Sequence, residues 1–319
     1  MAQKDFTLIP HIVINPTSIV SYHEFHSESG IRHKAVRFID TNENIEEQSA
    51  FLRSSRKNNG TMSAQAVRKI SKAIEYLVTT SDQKKVHEKL TGKVIVFKVA
   101  FITLTLPSSQ AHNDKEIINL CLNSLLNELR QYHAIKKYVW RAERQKNGNI
   151  HFHLLIDKFV PWYELRNRWN RIINKLGYVD RFQKKHGNKT PNSTDVHSTR
   201  KIHNLKKYLT KYMAKSDQTT GAQNIDEISS QYQSGRIWGC NHELSQTRGL
   251  NLIVDNEIDE ELKKVFTAKK FYKYEAAYFT VYYVNYHDLK KFGSDLLFKY
   301  FSDYLFENLN YSEQLKAAI

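Results

Sequence analysis

With 319 residues, 40% of them hydrophobic, the chain is long enough for one large or two modest globular cores, and its formal charge of +15 favours a polyanionic partner, nucleic acid before anionic membrane. Its two cysteines, Cys121 and Cys240, form no CxxC pair, which excludes a disulfide framework and a cysteine zinc site and suits a reducing interior. No apolar leader follows Met1, and no run approaches the ~18 uncharged apolar residues of a membrane-spanning helix, so a cytoplasmic protein without membrane partners is expected.

The charge is unevenly placed. Between Lys136 and Lys215 stand 20 lysines and arginines against five carboxylates, an excess equal to that of the whole chain, so the remainder is balanced. A generally solvated basic surface would spread its charge, whereas a concentrated one points to nucleic acid.

In chain order, residues 1–60 mix short apolar runs with turn residues and signal strands only weakly. From Ser63, a good N-cap, Val67, Ile70, Ile74 and Leu77 recur at helical spacing, and a polar linker over 79–92 follows. V-I-V-F-K-V-A-F-I-T-L-T-L-P is a β-rich run closed by Pro107, and residues 117–132 repeat with helical period. K-K-Y-V-W-R-A-E-R-Q, the turn K-N-G-N and I-H-F-H-L-L-I-D predict a β-hairpin. Pro161 opens a helix through Leu176 with Trp162, Leu165, Trp169, Ile172 and Leu176 on one face. A loop rich in Gly, Lys and Asn leads to the strand T-D-V-H-S and the helix N-L-K-K-Y-L-T-K-Y-M-A-K. The order β-α-β-β-α-β-α is that of an α+β, ferredoxin-like (split βαβ) antiparallel sheet with the His-x-His strand in the sheet and the tyrosine helix packed beside it. Beyond a polar stretch over 216–235, R-I-W-G-C reads as a short strand, D-N-E-I-D-E-E-L as a helix start, A-Y-F-T-V-Y-Y-V-N-Y as a strand and D-L-L-F-K-Y-F-S-D-Y-L-F as a helix.

Two constellations carry chemistry. On a strand, His151 and His153 share a face, about 7 Å apart along the chain, and can converge on a metal. Their third partner depends on the turn: a two-residue Asn147-Gly148 loop pairs Arg144 with His151, whereas a three-residue loop bulged at Gly148 pairs Gln145 with His151 and Glu143 with His153. The second register offers His, His and Glu to a hard cation. On the later helix, Tyr208, Lys211, Tyr212 and Lys215 form one stripe, each tyrosine with a lysine three residues on. A phenol with a pKa of about 10 is a poor nucleophile at neutral pH, and adjacent ammonium groups or a metal-polarised phosphate help it attack.

Taken in order, F-I-T-L-T-L-P, I-H-F-H-L-L-I-D and Y-L-T-K-Y-M-A-K resemble motifs I, II and III of the rolling-circle replication initiators of the HUH endonuclease superfamily. The doubled tyrosine is similar to the initiators of small single-stranded-DNA bacteriophages and related plasmids. The resemblance covers roughly residues 95–215 and implies a region 1–92 of accessory role, an endonuclease domain over 93–255 and an α/β extension over 256–319. It also implies roles. His151, His153 and Glu143 would hold Mg²⁺ or Mn²⁺. Tyr208 and Tyr212 would be the nucleophiles, and Lys211 and Lys215 would balance charge. The activity implied is nicking and strand transfer on single-stranded DNA at an origin, through a 5′-phosphotyrosine, in the cytoplasm of a bacterial host. No G-x-x-x-x-G-K-[ST] occurs, so unwinding is expected from a host helicase and extension from a host polymerase. A transposase or relaxase of the same superfamily, or a non-catalytic basic DNA-binding regulator, are the other readings.

Arg141, Arg166, Arg168, Arg171, Arg181, Lys184, Lys185, Lys206 and Lys207 are the expected contacts to DNA phosphates. His197, alternating with Asp195, is a further residue that could approach the metal, and Tyr278, Tyr282, Tyr283 and Tyr286 could stack on bases or pack in a core.

Overall fold

The computed structural model describes residues 6–27, 32–34, 62–82, 84–87, 92–198, 236–268, 272–276, 279–284 and 295–304. The tyrosine helix over 204–215 lies outside the described residues, as do Tyr278 and Tyr286. The chain is α+β, with antiparallel sheets and several helices, and divides into two compact units, Met1–Leu52 with Arg248–Ile319, and Arg53–Thr247. This division differs from three consecutive regions parted near 92 and 255. The first strands of the chain have their hydrogen-bond partners near its end, and backbone pairing, not sequence order, defines the unit.

In the first unit, β1 (Phe6–Asn15) and β2 (Ser18–Ser27) form a long hairpin, with β3 (Arg32–Lys34) on β2. The later members of that unit are β11 (Leu250–Ile253), β12 (Lys273–Ala276), β13 (Phe279–Tyr283) and the helices α6 (Asn256–Ala268) and α7 (Asp295–Asp303). The sheet order is β11-β1-β2-β13-β12. Ile12, Ile14 and Ile19 are buried with Leu262 and Phe266 of α6, and Ser21 donates to Asp259 of that helix at 2.8 Å. Tyr282 is buried and stacks on Phe266 at 4.4 Å, so it serves packing; Tyr283, next along the strand and thus on the other face, is exposed.

The second unit begins with α1 (Ala64–Thr80), whose cap Ser63 accepts from Ala66 N as its sequence predicts. The stretch expected to be a linker instead contains β4 (Lys84–His87), paired with β5 (Val94–Phe97). The apolar run ending at Pro107 is two strands, because the chain breaks at Lys98 and Val99 before β6 (Ala100–Leu104) joins another sheet. The helix α2 comprises Asp114–Ile117, a π-helical turn Ile118–Leu122 and Asn123–His133, and opens on a reciprocal Asn113–Glu116 capping box. It is followed by β7 (Tyr138–Arg144), β8 (Ile150–Ile156), α3 (Trp162–Asn174), α4 (Tyr178–His186), β9 (Thr194–Ser198), β10 (Trp238–Cys240) and a short α5 (His242–Gln246). The helix α4 replaces an expected loop: Gly177 and Gly187, both at positive φ, bound it at either end.

These strands form a sheet in the order β10-β7-β8-β6-β9, every neighbour antiparallel. Ile102, Leu104, Trp140, Phe152 and Leu154 point to one face and share a core with Ile117, Leu125, Leu129, Leu165, Trp169 and Ile172 of the helices. Trp162, expected on the buried face of α3, is instead 39% exposed at its first turn. Cys121 is in this core, where burial pushes its thiol up to about 11. Among the described residues, no helix is long and apolar enough to cross a membrane.

The β7–β8 turn matches neither register drawn from the sequence. Gln145 N donates to Asn149 O, leaving a three-residue loop of Lys146, Asn147 and Gly148, and the strands pair Glu143 with His151 and Arg141 with His153. Gly148 has φ +80°, and a Cβ there would meet nothing within 4 Å, so only backbone strain opposes a side chain. Gly148→Ala is therefore expected to cost about 1–2 kcal/mol, the left-handed penalty of an L-residue, with Gly148→Asn costing less. Urea unfolding of the three proteins checks this, and an alanine variant as stable as wild type contradicts it.

Candidate metal centre and nucleic-acid surface

Side chains alternate across a strand, so the face opposite the core receives Arg141 and Glu143 from β7, His151 and His153 from β8, and Phe101 and Thr103 from β6. Glu143 Oε1 lies 2.6 Å from His151 Nε2 and 2.7 Å from His153 Nε2, and the two imidazole nitrogens are 3.1 Å apart. All three side chains are at most 17% exposed. Burial works to raise the Glu143 carboxyl, but hydrogen bonds from His151 and His153, and their positive charge, outweigh it and hold the group well below the usual carboxylate range. It is an anion at neutral pH.

Among the described residues, this is the one cluster of three or more potential metal ligands, with donor atoms within 4.8 Å of one another. Two nitrogens and an ionised carboxylate oxygen, with no sulfur, suit a hard or borderline divalent cation such as Mg²⁺ or Mn²⁺, which would complete its shell with water or phosphate oxygens. The residues present therefore fit the cation the sequence resemblance implies.

What holds the hairpin in this place lies 30–41 residues earlier. Gln110 Oε1 accepts from Ile150 N at 2.7 Å and from Arg144 Nη1 at 3.1 Å, and Gln110 N donates to Asn149 Oδ1 at 2.9 Å. Asn149 Nδ2 donates to Ser108 O at 2.9 Å, and Arg144 Nη2 donates to the buried Asp114 at 2.8 Å. The sequence shows S-S-Q-A-H-N-D only as a polar loop before a helix. Its buried partners across the fold leave no local pattern that could have revealed them.

His197 lies on the same face of the sheet but one strand beyond β6, where it pairs with Asp195 at 2.7 Å; both are more than 60% exposed, and neither joins the cluster. Arg141, expected at a DNA phosphate, is completely buried across the strand pair from His153. The other arginines lie at the surface with partners of their own. Arg166 donates to Asn192 at 2.6 Å and covers the Trp162 ring, and Arg181 covers Tyr178. Arg168 and Arg171 reach Glu128 at 3.2 and 2.6 Å, Arg168 also covering Tyr132. Lys184 and Lys185 are exposed in the last turn of α4, where the helix dipole favours cations. Tyr208, Tyr212, Lys206, Lys207, Lys211 and Lys215 lie outside the described residues.

Burial works to raise the Glu128 carboxyl, but its hydrogen bonds with Arg171 and Arg168 and their charges win and lower it. A depressed carboxyl contributes stability above its ordinary pKa of 4.5 and loses it as pH falls through the lower folded value. With Arg171 partly exposed, Glu128→Gln is expected to cost about 1 kcal/mol or less at pH 7, and the gap from wild type should close in acid. Urea midpoints measured from pH 7 down to pH 3 test this; a gap independent of pH contradicts it.

No curated protein and no solved structure matches the chain significantly. Residues 99–217, the segment that begins at the end of β5 and contains Glu143, His151 and His153, match the protein family described as Replication-associated protein ORF2, which is consistent with a replication initiator.

Proposed function

We propose that the protein initiates rolling-circle replication by nicking and rejoining single-stranded DNA at an origin, with Glu143, His151 and His153 holding Mg²⁺ or Mn²⁺. The observation that carries this reading is the convergence of two imidazoles on one carboxylate oxygen inside the segment matched by the replication-associated family. A cation held there supplies Lewis-acid polarisation of the scissile phosphate. The β9-β6-β8-β7 order, with helices in both crossovers, supports a ferredoxin-like split βαβ arrangement.

The chain's own residues then have defined tasks. The hydroxyl oxygen of Tyr208 or Tyr212 forms the bond to phosphorus, the bond from phosphorus to the 3′ oxygen breaks, and that oxygen leaves as a free 3′-OH. Lys211 and Lys215 offset the negative charge of phosphate and phenolate. The 5′-phosphotyrosyl link retains the energy of the broken bond, so a second transfer can reseal the strand. Two tyrosines four residues apart on a helix share one face, which suits alternation between first and second cut. Affinity for the strand comes from the basic segment, and sequence-independent phosphate contacts position it. A host helicase and polymerase complete the cycle.

Labelled single-stranded oligonucleotides tiled across the DNA that encodes the protein, incubated with it and Mn²⁺, should yield an adduct that survives SDS. EDTA and the Tyr208→Phe/Tyr212→Phe double substitution should each abolish it. His151→Ala should abolish cleavage and leave oligonucleotide binding largely intact, whereas a transferable signal that persists through chelation and the double substitution overturns the mechanism. Binding without any adduct in the wild-type protein would instead favour a non-catalytic regulator.

A further inference from the structure

We propose that Thr103 is a positioning residue that sets the ring proton of His153 on Nδ1 and so turns the Nε2 lone pair into the metal centre. The inference rests on the metal-centre reading above and adds a residue outside the three ligands. His153 Nε2 is the nitrogen that faces Glu143 Oε1, at 2.7 Å, and His151 Nε2, at 3.1 Å. A neutral imidazole has one protonated nitrogen and one lone pair, so a lone pair at Nε2 requires the hydrogen at Nδ1. That nitrogen lies 3.3 Å from Thr103 Oγ1, on the strand directly beside it, where Thr103 and His153 are opposite in register. The hydroxyl oxygen accepts the Nδ1 hydrogen, which fixes the tautomer and makes Nε2 the better donor to a cation.

A second contact keeps the ring where the hydroxyl can act on it. Phe101, two residues earlier on the same face of β6, lies nearly parallel to the His153 imidazole, with ring centroids 5.3 Å apart and planes 16° from parallel. Rotation of the imidazole would break this stack and the hydrogen bond together. His151 is held differently, because its Nδ1 is buried without a hydrogen-bond partner among the described residues. Control of a ligand through its second nitrogen therefore falls on His153.

Valine preserves the shape of threonine and removes the acceptor, whereas serine keeps the acceptor and removes a methyl group. Mn²⁺ affinity, measured by calorimetry on the full chain, should fall by about tenfold or more in Thr103→Val and stay near the wild-type value in Thr103→Ser. Unfolding curves accompany both variants. Equal affinity in Thr103→Val, or equal loss in the serine and valine variants, overturns the role of the hydroxyl. A wild-type protein that binds no Mn²⁺, or a His153→Ala variant that binds it as well as wild type, overturns the centre itself and this proposal with it. Nitrogen-15 spectra of the wild-type histidines with Mg²⁺ give an answer without substitution: His153 should be the Nδ1–H form, and an Nε2–H form refutes the assignment.

Discussion

Glu143 stands opposite His151 because three residues turn the hairpin and Gly148 can adopt positive φ at the third. Side chains alternate with a period of two, so a slip of one residue between β7 and β8 would carry Glu143 and Arg141 to the face now filled by Trp140 and Ala142. An ionised carboxylate among Phe152, Leu154 and Trp169 would have no compensating partner, a cost of several kcal/mol. The register is therefore held from both faces. The core admits only the apolar set, and the clamp of Gln110, Asn149, Arg144 and Asp114 fixes the turn from outside. The three ligand atoms are brought together by strands whose placement is set elsewhere.

The same economy governs the charge. The basic excess between Lys136 and Lys215 suggests a surface for phosphate, yet much of it is already engaged within the fold. Arg144 neutralises buried Asp114, Arg168 and Arg171 converge on Glu128, and Arg141 is enclosed beside the centre. Arginine's planar fork and weak hydration suit it to these partly buried contacts. The lysines at the end of α4 remain in water, where a strongly hydrated ammonium costs least and can still meet a phosphate.

The flanks are joined by backbone pairing. β1 pairs with β11 and β2 with β13, so residues near the start and near the end of the chain complete one sheet. One face of that sheet receives α6, with Asp259 bonded to Ser21 and Phe266 stacked on Tyr282. Neither flank could satisfy its strand edges alone, which is why the weak strand signals of residues 1–60 become ordered strands only with the C-terminal partners present.

Periodicity alone reveals α1, α2, α3, the β7–β8 hairpin, β9, β10, α6, β13 and α7, because each is long or strongly patterned enough for local preference to decide it. It reveals too that His151 and His153 share a face, since alternation along a strand needs no knowledge of the rest of the fold. Tertiary structure alone decides the rest. β4 exists because β5 pairs with it, α4 because two glycines bound a basic segment that looks like loop, and the break at Lys98 because the halves of one apolar run join different sheets. The pairing of Glu143 with His151 belongs with these. Turn length is settled by contacts to Gln110 and Asp114 far away in the chain, and residues that meet only after folding leave no periodic trace in the sequence.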